Sequence, residues 1–284
     1  MKTVILGANS MLGWGLFEML RGQGVRGTCS PSTRRPEGSG LEVLDLLDPP
    51  AVQAWLAETS PDLVLNCAAI CKVEKCEKHQ DYAWEVNVGG TQNVLDLLLP
   101  EVRLVYVSSD HVFSGDTGPY DENTVPDPIS FYGKTRVEAE QRVLAQRPQS
   151  LVVRVPLCIG PSYNGRSGHL DWLRYRHGKA LPMTIVRDEY RSALPLDAAA
   201  ERVWQMALSP LVGLRHLHAE QTVSRPDLAR HLAERQGLQV GLKFQDRAER
   251  RVPHLGHVEM ASIYSDELAS PLPSVIDEGP SRDS

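Results

Sequence analysis

The N-terminus constrains this chain most. A short apolar run, Thr3 to Leu6, leads through Gly7-Ala8-Asn9-Ser10-Met11-Leu12-Gly13 into a helical stretch beginning at Met11. Gly7 permits a tight turn after the strand, and Gly13 lets the helix pack close to a sheet. The helix start then offers free N–H groups and the positive end of its dipole to a pyrophosphate. Ser10 sits where many such loops carry a middle glycine. A Gly-rich loop alone is a weak signal, but its position between a strand and a helix strengthens it.

The following segments repeat the alternation. Strands are expected at 25–29, 63–67, 102–107 and 151–155. Helices are expected at 49–58, 82–99 and 130–146, the first with Asp48 as N-cap and Pro49 at its first position. Short β-branched runs separated by helices predict a parallel sheet covered on both faces, a Rossmann-like doubly wound α/β fold. Residues 1–155 are assigned to this domain, with later segments returning to it. Residues 156–270 are assigned mainly to a smaller C-terminal α/β substrate domain, with helices at 169–176, 197–208 and 224–236 and a strand at 214–218. The Pro-, Ser- and Asp-rich residues 271–284 are expected to be a flexible tail.

Composition excludes several functions. The formal net charge is −6 and no basic stripe occurs, so no nucleic-acid partner is expected. No apolar run approaches the roughly 18–20 residues of a membrane span. Met1-Lys2-Thr3 runs directly into the first strand, unlike a signal peptide. A cytoplasmic protein without membrane association is expected. The five cysteines, Cys29, Cys67, Cys71, Cys76 and Cys158, form no Cys-x-x-Cys pair, and Cys71 and Cys76 have too few histidine ligands around them to suggest zinc. They read as reduced thiols, with no metal site.

The residues after the second strand bear on the nucleotide. NAD binders tend to place an acid there for the ribose 2′-OH. Here Ser30, Arg34 and Arg35 come first, and no acid precedes Glu37. Hydroxyl and basic groups suit a 2′-phosphate, so NADP(H) is expected, with NAD(H) as the alternative.

Two further segments carry chemistry. The fourth strand ends in Ser108-Ser109-Asp110-His111-Val112-Phe113, and Phe131-Tyr132-Gly133-Lys134-Thr135-Arg136 opens a helix. Ligands of parallel α/β sheets sit at the carboxyl ends of strands, where Ser109 falls. With these motifs the chain resembles the extended short-chain dehydrogenase/reductase family. Within it, the chain is similar to the dTDP-4-dehydrorhamnose reductase group and to the regulatory subunit of methionine adenosyltransferase. Also shared are Asn66-Cys67-Ala68-Ala69, Val73 to Glu77, Asn87-Val88-x-Gly90-Thr91 and Pro119-Tyr120-x-Glu122, in the same order, over roughly residues 1–270.

The resemblance implies a reductase of a nucleotide-linked 4-keto-6-deoxy sugar, as in dTDP-rhamnose biosynthesis. It implies Tyr132 as the proton donor and Ser109 as the group orienting the carbonyl oxygen. Asn87 would stabilise the site or carry a water for proton relay. Gly7, Asn9, Ser10, Met11, Leu12, Gly13 and Ala68 would line the cofactor groove, with Ser30, Arg34 and Arg35 at its far end. Lys75, Glu77, His111 and Arg191 would reach substrate; for Lys75 and Glu77 the alternative is a solvated charge cluster. Arg154, Arg166 and Arg187 are further anion-binding candidates. The family is commonly dimeric, so a homodimer is expected.

The chain departs from the pattern at three places. Four residues after Tyr132 the family has lysine, which binds the nicotinamide ribose and lowers the tyrosine pKa; here Arg136 stands. Arginine keeps the charge but is planar, bulkier and effectively never deprotonated. It would either take over both roles in catalysis and cofactor binding, or leave a slow or absent reaction. His111 replaces the usual tyrosine of the strand-end motif, and Leu157 stands where the reductases often carry tryptophan. The alternative to an enzyme is a catalytically weak or inactive NADP-binding regulatory or scaffold protein. An epimerase or dehydratase ranks last, because His111 replaces the acid that dehydratases add.

Overall fold

The computed structural model describes residues 1–277. The chain runs β1 (Thr3–Leu6), α1 (Met11–Met19), β2 (Arg26–Cys29), β3 (Leu41–Val43), α2 (Pro49–Thr59), β4 (Leu63–Asn66), α3 (Val73–Lys78), α4 (Gln80–Trp84), α5 (Gly90–Leu97), β5 (Arg103–Ser109), α6 (Phe131–Gln146) and β6 (Leu151–Val155). There follow β7 (Leu157–Ile159), α7 (His169–Gly178), β8 (Met183–Val186), β9 (Tyr190–Pro195), α8 (Leu196–Leu208), β10 (Gly213–His216), β11 (Thr222–Ser224), α9 (Arg225–Arg235), β12 (Leu242–Gln245) and β13 (His257–Val258).

Seven strands form one parallel sheet in the order β10-β6-β5-β4-β1-β2-β3. Its central strands are apolar on both faces because helices cover both. Ile5, Leu63, Leu65, Val105 and Val153 meet α1 and α8 on one side. Val4, Leu6, Val64, Tyr106 and Val152 meet α2, α5 and α6 on the other. Successive residues of a strand point to opposite faces, so each continuous apolar run feeds two cores. This is the doubly wound architecture expected. The strand order reverses between β1 and β4, and such a reversal opens a crevice at the carboxyl ends.

Helix ends follow the local chemistry. Asp48 accepts from Ala51 N at 3.1 Å before the prolines of α2, and Ser224 Oγ accepts from Asp227 N at 3.1 Å at the start of α9. Such caps each contribute about 1 kcal/mol. The long helix expected over 82–99 is instead α4, a π-helical turn Glu85–Gly89, and α5. The wider turn accommodates one extra residue and sets Asn87 facing inward.

The smaller region lies beyond β6. β9 is its hub, pairing with β7, β11 and β13, while β8 and β12 pair separately. α8 and β10 belong to the large sheet side, α8 against α1 and β10 against β6. The flexible tail expected from residue 271 is corrected for 271–277. Leu272 N donates to His218 O at 2.9 Å, Val275 N donates to Ala193 O at 2.9 Å, and Ser274 and Val275 are buried. Two apolar residues, Leu272 and Val275, supply the anchoring that a polar composition concealed. Residues 278–284 of that expectation lie outside the described residues.

Candidate functional site

A cavity of about 390 Å³ opens at the carboxyl ends of β1, β4 and β5 and is closed by the smaller region. Ser10, Met11 and Leu12 form one end of it; Ser109, His111, Tyr132 and Arg136 form its floor; Arg191 and Arg225 face them from the smaller region.

The glycine loop is built for close approach. Gly7 has φ +71°, and a Cβ there would lie 2.4 Å from Ala68 Cα. The loop after β1 therefore presses directly on the loop after β4, which only glycine permits. Ser10 caps α1 by accepting from Gly13 N at 3.2 Å. Asn9 Nδ2 donates to Thr33 Oγ1 at 3.1 Å, tying this loop to the one after β2. In that second loop Ser30 Oγ lies 3.1 Å from both Ser32 Oγ and Thr33 Oγ1. Arg34 and Arg35 are both exposed, and Arg35 donates to Leu41 O at 2.7 Å. A dinucleotide fits this groove: its pyrophosphate would meet the start of α1, and a 2′-phosphate would meet Ser30 and Arg34. Gly7, Gly13, Asn9 and Ala68 shape the groove from behind rather than lining the cavity.

On the floor, Ser109 Oγ accepts from His111 N at 3.3 Å and donates to Asp110 Oδ1 at 3.2 Å. Tyr132 is the second residue of α6, whose cap Ser130 accepts from Gly133 N at 3.0 Å. A Cβ on Gly133 would fall 2.1 Å from His111 O. That glycine lets α6 press against the strand-end turn, so the Tyr132 and His111 rings meet edge to face at 5.3 Å. Burial pushes the Tyr132 hydroxyl well above its usual range, while the Arg136 charge and the Ser109 hydroxyl draw it down. Burial also depresses His111 to about 4, with the nearby Arg191 charge acting in the same direction, so the imidazole is neutral. Among the described residues its buried Nδ1 has no hydrogen-bond partner.

Within this floor Arg136 is only 2 % exposed. Its Nη2 donates to Val107 O and its Nη1 to Ala68 O at 3.5 Å, and its guanidinium stacks 4.6 Å from the Tyr106 ring centroid. Among the described residues its buried Nε has no hydrogen-bond partner. Arg136 thus keeps a positive charge beside Tyr132 but spends two nitrogens on main-chain carbonyls.

Asn87 stands outside the cavity and is fully buried. It accepts from Ile70 N at 2.7 Å and donates to Ile70 O at 3.2 Å and Thr135 Oγ1 at 2.9 Å. It pins the loop after β4 to α6, which makes it a positioning residue one layer behind Tyr132.

The expected substrate residues separate. His111 lines the cavity. Lys75 does not; its ammonium lies 5.2 Å from the Tyr82 ring centroid. Glu77 does not either, because it accepts from Phe131 N at 2.7 Å and so helps hold the start of α6. Arg191 lines the cavity, but Asp110 accepts its Nε at 2.7 Å and its Nη2 at 2.6 Å, and Glu189 accepts its Nη1 at 3.1 Å. Its donors are engaged within the protein, so it holds the Ser109 turn in place. Arg154 forms a buried pair with Glu140 at 2.7 Å, Arg187 pairs with Asp246 at the surface, and Arg166 is exposed outside the cavity. Sequence reasoning missed Arg225, His169 and His254, which line the smaller region's wall. Nothing in their local pattern distinguishes them from ordinary helix-start and loop residues.

Among the described residues, no cluster of three or more His, Cys, Asp or Glu side chains is placed to hold a metal ion. No helix among them is long and apolar enough to cross a membrane.

Known proteins share this fold. A Bacillus anthracis dTDP-4-dehydrorhamnose reductase, solved in complex with NADP, superposes with a TM-score of 0.79 at 23% identity, covering 96% of this chain and 94% of that one. A hypothetical dTDP-4-dehydrorhamnose reductase from Sulfolobus tokodaii gives 0.78 at 23% identity, covering 92% and 91%. In sequence, the Xenopus tropicalis methionine adenosyltransferase 2 subunit beta is 35% identical over 162 residues, 56% of this chain and 47% of that protein. A probable dTDP-4,6-dihydroxy-2-methyloxan-3-one 4-ketoreductase from Streptomyces antibioticus is 31% identical over 205 residues, 71% of this chain and 61% of its own length. The matched regions thus span about half to three fifths of these curated relatives. The family model for the RmlD substrate binding domain matches residues 1–262, and the chain belongs to that family, within the extended short-chain dehydrogenases/reductases.

Proposed function

We propose that the protein is an NADPH-dependent reductase of a nucleotide-linked 4-keto-6-deoxy sugar. One observation carries this reading: Ser109, Tyr132 and Arg136 converge on a single cavity whose other end is the start of α1. Bound reduced nicotinamide would supply the hydride. The protein's own part is to manage the charge that builds on the ketone oxygen. Tyr132 would give that oxygen its proton, and Ser109 would donate a hydrogen bond that fixes its position. Arg136, close beneath, would stabilise the tyrosinate left behind. Asp110, held by Arg191, keeps the Ser109 turn in register, and Asn87 keeps α6 in register with the loop after β4. Burial of Tyr132 and Arg136 strengthens each of these electrostatic effects.

A second reading is favoured by the engagement of Arg136 with Val107 O and Ala68 O. A guanidinium so engaged has fewer donors for a ribose than a free ammonium. The protein would then keep its NADP pocket for regulation or scaffolding and turn over slowly or not at all. Consumption of NADPH by the purified protein with dTDP-4-dehydro-L-rhamnose, compared with NADH, separates the two. Turnover supports the reductase. Absence of turnover across several keto sugars, with NADPH demonstrably bound, supports the regulatory reading.

A further inference from the structure

Three imidazoles line the cavity, and they are held differently. His169 has its Nε2 taken by Arg225 at 2.8 Å. His111 is kept neutral by burial and the Arg191 charge, and among the described residues its buried Nδ1 has no partner. His254 differs from both. Its Nδ1 lies 2.9 Å from Glu189 Oε2, and among the described residues no hydrogen bond reaches its Nε2. Its side chain is 27% exposed, and it lines the cavity.

The pairing with Glu189 fixes what His254 can do. Burial alone would favour the protonated acid, but the His254 hydrogen bond and the Arg225 and Arg191 charges outweigh it and hold Glu189 as the carboxylate. A carboxylate only accepts, so His254 Nδ1 carries a proton and, in the neutral ring, Nε2 carries the lone pair. Charge balance does not call for a histidine here. Asp110 and Glu189 bring two negative charges, and Arg191 and Arg225 already answer them with two positive ones. What the Glu189–His254 pair adds is a fixed ring orientation and support for the imidazolium that forms when Nε2 takes up a proton.

A chain of hydrogen bonds ties this imidazole to the catalytic floor. Ser109 Oγ donates to Asp110 Oδ1 at 3.2 Å, and Arg191 donates to Asp110 at 2.6 and 2.7 Å. Arg191 Nη1 then donates to Glu189 Oε1 at 3.1 Å, and Glu189 Oε2 accepts from His254. Asp110, Arg191 and Glu189 are buried, so Ser109 and His254 are the two ends of one protected chain, and both ends open on the same cavity. After burial and the Arg191 charge, the His254 charge is also among those felt by His111, whose ring packs on Tyr132 at 5.3 Å.

We propose that His254, oriented by Glu189, is a base that removes a proton from a carbon next to the bound ketone, giving the cavity a second activity, enolisation of its substrate. The inference rests on the cavity being the ketone site of the proposed reductase. Nε2 forms a bond to the proton. The C–H electron pair becomes part of a C=C bond, and the carbonyl pair moves onto oxygen. Ser109 and Tyr132, already placed for the ketone, donate to that enolate oxygen. Return of a proton from the imidazolium to carbon restores the ketone, so nothing is oxidised or reduced.

The test reads hydrogen exchange, not hydride transfer. The full chain, saturated with NADP+ so that no hydride is on hand, is incubated in D2O with dTDP-4-dehydro-L-rhamnose and the other keto sugars of the NADPH assay. Proton NMR follows the hydrogens on the carbons flanking the ketone. With at least one sugar, wild type should wash out at least one of these signals well faster than buffer alone. His254→Gln keeps a donor for Glu189 but has no basic nitrogen, and should slow the washout about 10²- to 10⁴-fold. Should that variant fail to fold, His254→Asn carries the same expectation. Overturning results are a wild-type washout no faster than buffer with every sugar, or wild-type exchange in a variant that folds. NADPH consumption without exchange removes the base and keeps the reductase. Exchange without NADPH consumption removes the reductase and keeps the base.

Discussion

Arg191 and Asp110 meet side by side, Nε to Oδ2 at 2.7 Å and Nη2 to Oδ1 at 2.6 Å, both buried. Arg191 belongs to β9 and Asp110 follows the end of β5, so one ion pair joins the smaller region to the carboxyl end of the large sheet. Removing one partner leaves a buried charge uncompensated. Arg191→Ala should cost about 3–5 kcal/mol of unfolding free energy in urea titration. Arg191→Met combined with Asp110→Leu should cost far less, because it removes both charges together. A loss in the double variant equal to the sum of the losses in the two single variants would show that the pair is not coupled.

Tyr132→Phe should lower turnover about 10²- to 10⁴-fold, the usual contribution of a positioned proton donor, with NADP+ affinity little changed. The pH profile follows from its environment. The acid form is the active form in reduction, and burial raises its pKa. The rate constant for reduction should therefore hold through neutral pH and decline only above about 10, the ordinary tyrosine value. A decline beginning near pH 8 would argue against Tyr132 as the proton donor.

Arg136→Lys should raise turnover several-fold while lowering stability. An ammonium has three donors on one atom and cannot both hold Val107 O and stack on Tyr106 as the guanidinium does. Loss of the buried contacts should cost about 1–3 kcal/mol. Measuring kcat and Tm on the same preparation tests both halves.

Acidification should destabilise the fold early. His111 is depressed to about 4 and His169 to about 3, against about 6.5 in an unfolded chain. Below 6.5 the unfolded chain takes up protons that the folded one refuses. The stability present above 6.5 is thus lost progressively as pH falls toward these values. Glu189, whose carboxylate is lowered despite its burial by His254, Arg225 and Arg191, adds a further loss below the ordinary glutamate range. Tm should decline steadily from pH 6.5 downward; a flat Tm to pH 5 would contradict the neutral assignment of both histidines.

Arg34→Ala should weaken NADPH about tenfold and leave NADH nearly unchanged, since an exposed arginine has only the 2′-phosphate to recognise. Arg35 is less able to respond, being tied to Leu41 O.

The central fold is legible because its signals are local. β1, β4 and β5 carry uninterrupted apolar stretches at Val4–Leu6, Leu63–Leu65 and Leu104–Val107, β6 is apolar but for Arg154, and α2 and α9 announce their starts with Asp48-Pro49 and Ser224-Arg225-Pro226. β9 is not legible that way. Its Arg191 looks solvent-seeking until Asp110, 81 residues earlier, is placed beside it. β3 has only three residues at a sheet edge, too few for a period to show. The interruption at Glu85–Gly89 leaves helical composition intact, so the sequence reads as one helix. In the site, Ser109 and Tyr132 stand out through motif spacing. Glu77 and Arg225 do not separate by sequence, because one stands in a run of charged residues late in α3 and the other is a charged residue at the start of α9. Only tertiary placement shows that Glu77 holds Phe131 N and that Arg225 faces the cavity.

The return of β10 to the large sheet limits how this protein can be cut and recombined. A fragment ending at Val155 would leave the whole hydrogen-bonding row of β6 bare on the side that β10 covers, and would strip α8 from α1. Bare edges of this kind invite pairing between molecules, so such a fragment should aggregate rather than fold. A chimera that exchanges the substrate half for that of a relative must therefore keep Leu196–Leu208 and Gly213–His216 with the nucleotide half. Its workable crossover points lie on either side of those two elements, not at a single junction.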